Sequence, residues 1–278
     1  MTTTEIRFLD QRTPDEKDRP FLPGMGKTWL LPLYDAFARV TGVQAVYERT
    51  AALADIGPGH AVVDVGCGTG NLSLAVLAAT REARVTGLDP DRDALRRAAR
   101  KARRRGVGLT LVQGYADRIP ADDSALDHVI SSLALHHIDD ESRSTFARDA
   151  LRALRPGGTL TVADFGGDPA PGGDEAGRPA HGHDNGDGLH NGHGQRHDHG
   201  HGNDHGHGVA HTLRHLARLV RSRGKHNPAV DRAHGDSLVT LLTEAGFDAV
   251  REVEHLDHRF GRIAIVRATR PVDTTQGA

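Results

Sequence analysis

Apolar positions recur along most of this chain at two alternating periods. Ala61 to Val65 is a short apolar run ending in glycines, the pattern of a buried strand delivered to a turn. Leu72 to Ala79 follows at helical spacing, then Arg84 to Leu88 as a strand and Asp91 to Arg105 as a helix. Pro90 and Asp91 suit that helix start. Thr110 to Gln113, Leu126 to Ser131 and Thr159 to Ala163 are further strands. Asp140 to Leu154 is a helix, and Pro156-Gly157-Gly158 reads as a turn. Strands alternating with helices at this spacing predict a mostly parallel sheet covered on both faces. Val250 to Leu256 and Arg262 to Ala268 alternate with only a short link between them, so they should pair antiparallel.

The flanks read differently. Residues 1–20 are polar and read as a flexible leader. Residues 21–57 hold two helical stripes, one with Trp29, Leu30, Leu33, Tyr34 and Phe37 and one from Val43 to Ile56, expected as a small N-terminal helical cap. The core is expected over 58–166. Residues 167–208 are rich in Gly, His, Asp, Asn and Pro, cannot build a core, and read as a disordered insertion. Order returns over 209–278 with helical stripes at Leu213 to Val220 and Leu238 to Ala245, then the strand hairpin of the same domain.

Composition narrows the function classes. A net charge of -2 and a pI near 6.8 give no electrostatic case for nucleic acid. The arginines from Arg96 to Arg105 share a helix with Leu95, Ala98 and Ala99 and read as its solvated face. No apolar stretch reaches the length of a membrane span, and no signal-peptide core is seen, so a cytoplasmic setting is expected. The single cysteine, Cys67, excludes an internal disulfide. Monomer and homodimer fit the pattern equally.

The chemistry concentrates after the first core strand. Gly66, Gly68 and Gly70 remove side chains where a ligand could lie against the backbone, and the next helix adds free N–H groups. A dinucleotide fingerprint requires a glycine at the position of Asn71, which weakens a nicotinamide reading. Asp89 ends the second strand, where a carboxylate accepts ribose hydroxyls. Gly24-Met25-Gly26-Lys27-Thr28 has Phe21 where a phosphate loop needs its first glycine, and no strand precedes it.

Five segments in order resemble the class I S-adenosylmethionine-dependent methyltransferases, of the small-molecule type to which quinone and sterol C-methyltransferases belong. They are Val62 to Gly70, Gly87-Leu88-Asp89, Gly114-Tyr115-Ala116-Asp117, Leu126 to Ser131 and Leu154 to Leu160. The resemblance implies a Rossmann-like, seven-stranded α/β sheet with an antiparallel final hairpin. It implies that Asp64, Gly66, Cys67, Gly68 and Gly70 meet the amino-acid part of S-adenosylmethionine. Asp89 would hold the ribose, Leu88 and Pro90 the adenine faces, Asp117 with Ala116 the adenine amino group, and Ser131 and Leu133 the methionine side. Metalloid methyltransferases of this class use several cysteines, which this chain lacks.

The acceptor is expected to be a small molecule, quinone- or lipid-like acceptors included. Candidate catalytic residues are His136 and His137 after the fourth strand, Asp164 at the end of the fifth, and Tyr34 in the cap. The insertion adds His181, His183, His197, His199, His201, His205 and His207, whose spacing suits weak binding of Zn, Ni or Cu. Two rival readings stay open at this point: a nicotinamide-dependent oxidoreductase, and a non-enzymatic metal-binding protein using the insertion.

Overall fold

The computed structural model describes residues 5–19, 21, 42–166, 235–258 and 261–272. Tyr34, the Leu213 to Val220 stripe, the whole 167–208 insertion and its seven candidate metal histidines lie outside them.

The strands are β1 Ile6–Asp10, β2 Ala61–Val65, β3 Arg84–Asp89, β4 Leu109–Gln113, β5 Leu126–Ser132, β6 Leu154–Phe165, β7 Asp248–His258 and β8 Gly261–Thr269. The helices are α1 Val43–Ala54, α2 Asn71–Ala79, α3 Arg92–Arg105, α4 Asp140–Ala153 and α5 Gly235–Glu244. One sheet holds all eight strands in the order β1-β4-β3-β2-β5-β6-β8-β7. β8 runs antiparallel between β6 and β7, so the expected hairpin forms and sits at the sheet edge. The remaining pairings are parallel.

The sheet has eight strands, not seven. The addition is β1, which lies in the segment expected as a flexible leader and pairs with β4 from Ile6↔Leu109 to Asp10↔Gln113. Four of its five residues are exposed. Its place is held by the backbone ladder more than by side-chain burial. Pro156-Gly157-Gly158 also differs from expectation. It lies within β6 rather than between elements, and the register against β5 slips between Leu126 and His128, leaving a bulge with Gly157 at φ 75°.

Apolar clusters cover the two faces. α1, α2 and α3 pack on one through Tyr47, Leu74 and Leu95, while α4 and α5 pack on the other through Phe146, Leu238 and Leu242. α1 packs as a layer helix against α2 and the sheet. α3 shows how the sequence builds such a layer. Asp91 caps it by accepting from the N–H groups of Asp93 (2.8 Å) and Ala94 (3.1 Å). Ala94, Leu95, Ala98, Ala99 and Ala102 are buried, and Arg96 and Arg103 to Arg105 face solvent. Among the described residues no helix is long and apolar enough to cross a membrane.

The chain moves outward from β2 to β3 and β4, then returns to β5 on the other side of β2. That reversal leaves a crevice at the carboxyl ends of the parallel strands.

Candidate active site

A cavity of about 640 Å³ opens at this crevice, walled by the loops after β2, β3, β4 and β5. Its volume lies within the range of small-ligand sites.

The loop after β2 forms its floor. The N–H groups of Gly66 and Cys67 both donate to the Leu88 carbonyl, at 2.9 and 3.1 Å, tying the loop to β3. Gly66 and Gly68 have φ of 71° and 51°, in the left-handed region. Their spaces differ. A Cβ on Gly66 would stand 2.3 Å from the Ala134 Cβ, whereas one on Gly68 would meet nothing within 4 Å. Gly66 thus permits close packing, and Gly68 leaves open space beside the cavity.

Two carboxyls flank this loop. Asp64 is buried, and its Oδ2 accepts from the Ser73 backbone N–H (3.0 Å) and hydroxyl (2.6 Å). Burial drives its pKa up to about 7, with Asp89 adding a smaller push. Asp89 accepts from the Gly68 N–H through Oδ2 and from the Asp91 N–H through Oδ1, both at 2.8 Å. Burial raises it to about 6 against those two bonds. Cys67 lies on the wall with its thiol packed on Gly87, where a Cβ would come within 2.8 Å of Sγ. Burial pushes the thiol pKa well up, so it stays protonated.

The other expected cofactor residues divide by where they stand. Leu88, Pro90, Ala116 and Leu133 line the cavity. Gly70 does not; it lets α3 approach, since a Cβ there would come 2.9 Å from that of Ala98. Ser131 points away, donating to the Val65 carbonyl at 2.9 Å, and Ser132 takes its place on the wall with a buried Oγ that has no partner. Asp117 is not on the wall either. Arg19 lines the cavity and bonds Asp117 Oδ2 at 2.5 Å, while Asp117 Oδ1 is buried without a partner. Arg19, Phe21, Tyr47 and Ser132 escaped the sequence reading. Tyr115, within the Gly114 to Asp117 segment, lines the cavity as well.

The histidines lie at the far end. Leu133, at φ 54°, turns the chain from β5 into a short 3-10 turn over Leu135–His137. Asp164, at the end of β6, fixes that turn. Its Oδ2 accepts from the N–H groups of Leu135 (2.9 Å) and His136 (3.2 Å). Its Oδ1 accepts from the Phe165 N–H and lies 2.6 Å from His136 Nδ1. These bonds lower the Asp164 pKa against burial, with the His136 charge the largest lowering influence. A carboxylate so engaged orients the loop; it does not face the cavity. His136 stands behind His137, ring centres 4.0 Å apart, and His137 alone of the three lines the cavity. Burial first, then His136, lowers the His137 pKa to about 4, so its ring is neutral at pH 7.

The wall fits a nucleoside cofactor carrying a polar tail: open space at Gly68 beside the loop and a carboxyl at the end of β3. Among the described residues no group of three or more His, Cys, Asp or Glu side chains could hold a metal ion.

Known proteins carry the same pattern. Residues 62–158 match the family model described as a methyltransferase domain. The 27-O-demethylrifamycin SV methyltransferase of Amycolatopsis mediterranei is 34% identical over 131 residues, 46% of this chain and 47% of that protein. The phthiotriol/phenolphthiotriol dimycocerosates methyltransferase of Mycobacterium tuberculosis is 35% identical over 120 residues, 43% of each. The chain spans about half the length of the curated relatives it matches. Among solved structures, the [4+2]-cyclase SpnF aligns with a TM-score of 0.56 at 18% identity, covering 82% of this chain and 81% of that one. An S-adenosylmethionine-dependent methyltransferase from Thermotoga maritima aligns at 0.54 and 16% identity, covering 87% and 97%. These two likenesses concern the fold alone, and a fold hosts more than one reaction. The oxidoreductase and the non-enzymatic metal-binding readings gain nothing from any of them.

Proposed function

We propose that this chain, whose residues 62–158 are a class I S-adenosylmethionine-dependent methyltransferase domain, methylates a hydroxyl on an apolar small molecule. The observation that carries the reading is one cavity with the Gly68 loop on its floor and a neutral histidine, His137, on its wall. Two curated relatives named for rifamycin and phthiotriol substrates support a polyketide- or lipid-like acceptor.

When bound, S-adenosylmethionine supplies an electrophilic methyl group on a positively charged sulfur. Asp89 would accept its ribose hydroxyls, Leu88, Pro90 and Ala116 would flank its adenine, and Asp64, Gly66, Gly68 and Ser132 would meet its amino-acid part. Leu133, Leu135, Ile138 and Tyr47 offer the apolar wall an uncharged acceptor needs. His137 accepts a hydrogen bond from the acceptor hydroxyl, which aims the oxygen. It then takes the proton as the oxygen acquires its new bond. His136 and Asp164 act as positioning residues, holding the turn that carries His137.

The test is a methyl-transfer screen against polyketide and lipid extracts with labelled cofactor, comparing the native chain with His137→Ala. A general base contributes about 10²- to 10⁴-fold, so kcat should fall on that scale while cofactor affinity stays within about twofold. Unchanged kcat would remove His137 from the reaction. A product labelled on carbon would overturn the hydroxyl assignment. The histidine-rich insertion is proposed, on its His-x-His spacing alone, to bind Zn, Ni or Cu weakly. A metal titration of the intact chain against a 181–207 deletion checks that, and equal uptake by the two rejects it.

A further inference from the structure

The segment that follows β1 is fastened across the β4 side of the cavity by a small set of polar bonds. The Tyr115 hydroxyl donates to the carbonyls of Arg19 (2.6 Å) and Glu16 (3.2 Å). The Arg118 guanidinium donates to the Gln11 carbonyl (2.5 Å) and to Glu16 Oε2 (2.6 Å). Arg19 lies over the Tyr115 ring, 4.5 Å from its centre, reaches Ser142 Oγ at 3.4 Å, and bonds Asp117. Among the described residues, β1 is held by a five-residue ladder, and the Arg19 end by side chains that are partly exposed.

Under that end sits an unusual group. Asp117 Oδ1 is a carboxylate oxygen cut off from solvent and without a hydrogen-bond partner. An oxygen left so is costly, and a donor would relieve it. Yet Asp117 is not on the cavity wall, while Arg19, bonded to its other oxygen, is. A ligand in the cavity reaches Oδ1 only after the Arg19 end moves.

We propose that residues 11–19 form a strap, with the Arg19–Asp117 ion pair as its latch, that opens to let the adenine end of the cofactor reach Asp117. This rests on the cofactor site assigned above. The latch leaves Oδ1 as the acceptor for an amino group and keeps Oδ2 for Arg19, so the strap can close again over a seated adenine with its ion pair intact. Ser142, at the start of α4, gives the guanidinium a second hold. Entry and exit of the cofactor are then limited by release of the latch.

Two variants test it. Arg19→Ala removes the latch. Tyr115→Phe keeps the ring beneath the guanidinium and removes only the hydroxyl that binds the strap backbone. Hydrogen exchange of residues 11–19 in the free protein should rise in both, while the β1 amides stay protected by their ladder. Stopped-flow binding of S-adenosylhomocysteine should show association and dissociation each accelerated about tenfold in Arg19→Ala, the scale of one charge-assisted bond between partly exposed groups. Because both rates rise, the equilibrium affinity should move much less than either. Native exchange in residues 11–19 of both variants, or native binding rates in Arg19→Ala, overturns the strap. Failure of the native chain to bind S-adenosylhomocysteine at all overturns the cofactor reading instead, and the exchange experiment on the free protein separates the two results.

Discussion

Alanine at Gly68 and alanine at Gly66 should fail in different ways, although the residues are two apart. Both glycines have positive φ, so a Cβ at either costs about 1–2 kcal/mol of backbone strain. At Gly66 the new methyl also stands 2.3 Å from the Ala134 Cβ, far inside the normal contact distance of about 3.5–4.0 Å. The turn carrying His137 must then shift, and overpacking of this kind adds about 1–3 kcal/mol. Gly66→Ala should therefore lose roughly 2–5 kcal/mol of stability. At Gly68 the methyl meets no protein atom within 4 Å, so only the strain remains. Its cost falls instead on whatever occupies the cavity beside it. Calorimetry should show Gly68→Ala binding S-adenosylmethionine at least about tenfold more weakly, or about 1.4 kcal/mol. Thermal melting should show it clearly more stable than Gly66→Ala. If Gly68→Ala binds the cofactor within about twofold of the native chain, Gly68 does not face it, and the placement of the cofactor on this loop fails.

Two further outcomes follow from the titrating groups. The pKa values of Asp64 and Asp89 are raised to about 7 and about 6, and a cofactor that donates hydrogen bonds to them favours their ionised forms. Affinity for S-adenosylmethionine should thus rise from pH 5 to pH 8 with proton release on binding, measurable by calorimetry in buffers of different ionisation enthalpy; a flat profile contradicts the assignment. His128 is buried on β5, 2.9 Å from His60 and 2.8 Å from Thr159 Oγ1, and burial followed by the His60 charge lowers its pKa to about 4. Between pH 6.5 and 4 the unfolded chain takes up a proton at this site that the folded chain refuses, so its contribution to stability is present above pH 6.5 and drains away as pH falls through that window. Denaturant melts of His128→Gln should show a shallower loss over the same range, and an unchanged slope would remove His128 as a cause.

The strands β2 to β6, the final hairpin and the Asp64 to Gly70 loop were legible because each writes its role locally. Buried parallel strands are apolar runs, and a loop that must approach a ligand needs glycine in consecutive turns. β1 was not legible because it buries almost nothing: Arg7, Phe8, Leu9 and Asp10 are exposed, and its ladder with β4 is made of backbone groups that every residue carries. Arg19 was hidden for a related reason. Its partner is 98 residues away, and an arginine after a polar stretch looks like any solvated one until the sheet brings Asp117 beside it. His60 and His128 are likewise 68 residues apart, so a polar side chain inside a strand gave no sign of its partner.

The choice between Ser131 and Ser132 is the finest of these failures, and it bears on the chemistry. Successive strand residues face opposite ways, so the side that meets the cavity is a matter of parity. Ser131 Oγ is spent on the Val65 carbonyl, and the next residue is the one that lines the cavity. Leu133 then leaves the strand at positive φ, an unusual conformation for leucine, which costs energy that the surrounding bonds must over-determine. Those bonds are on view: the Leu133 N–H donates to the Ala163 carbonyl at 2.8 Å, and Asp164 gathers the N–H groups of Leu135 and His136. The carboxyl expected from the sequence as a catalytic candidate is the group that holds this bend. Asp164 holds the turn from which His137, and not His136, lines the cavity, and Asp164→Asn should therefore lower kcat before it weakens cofactor binding.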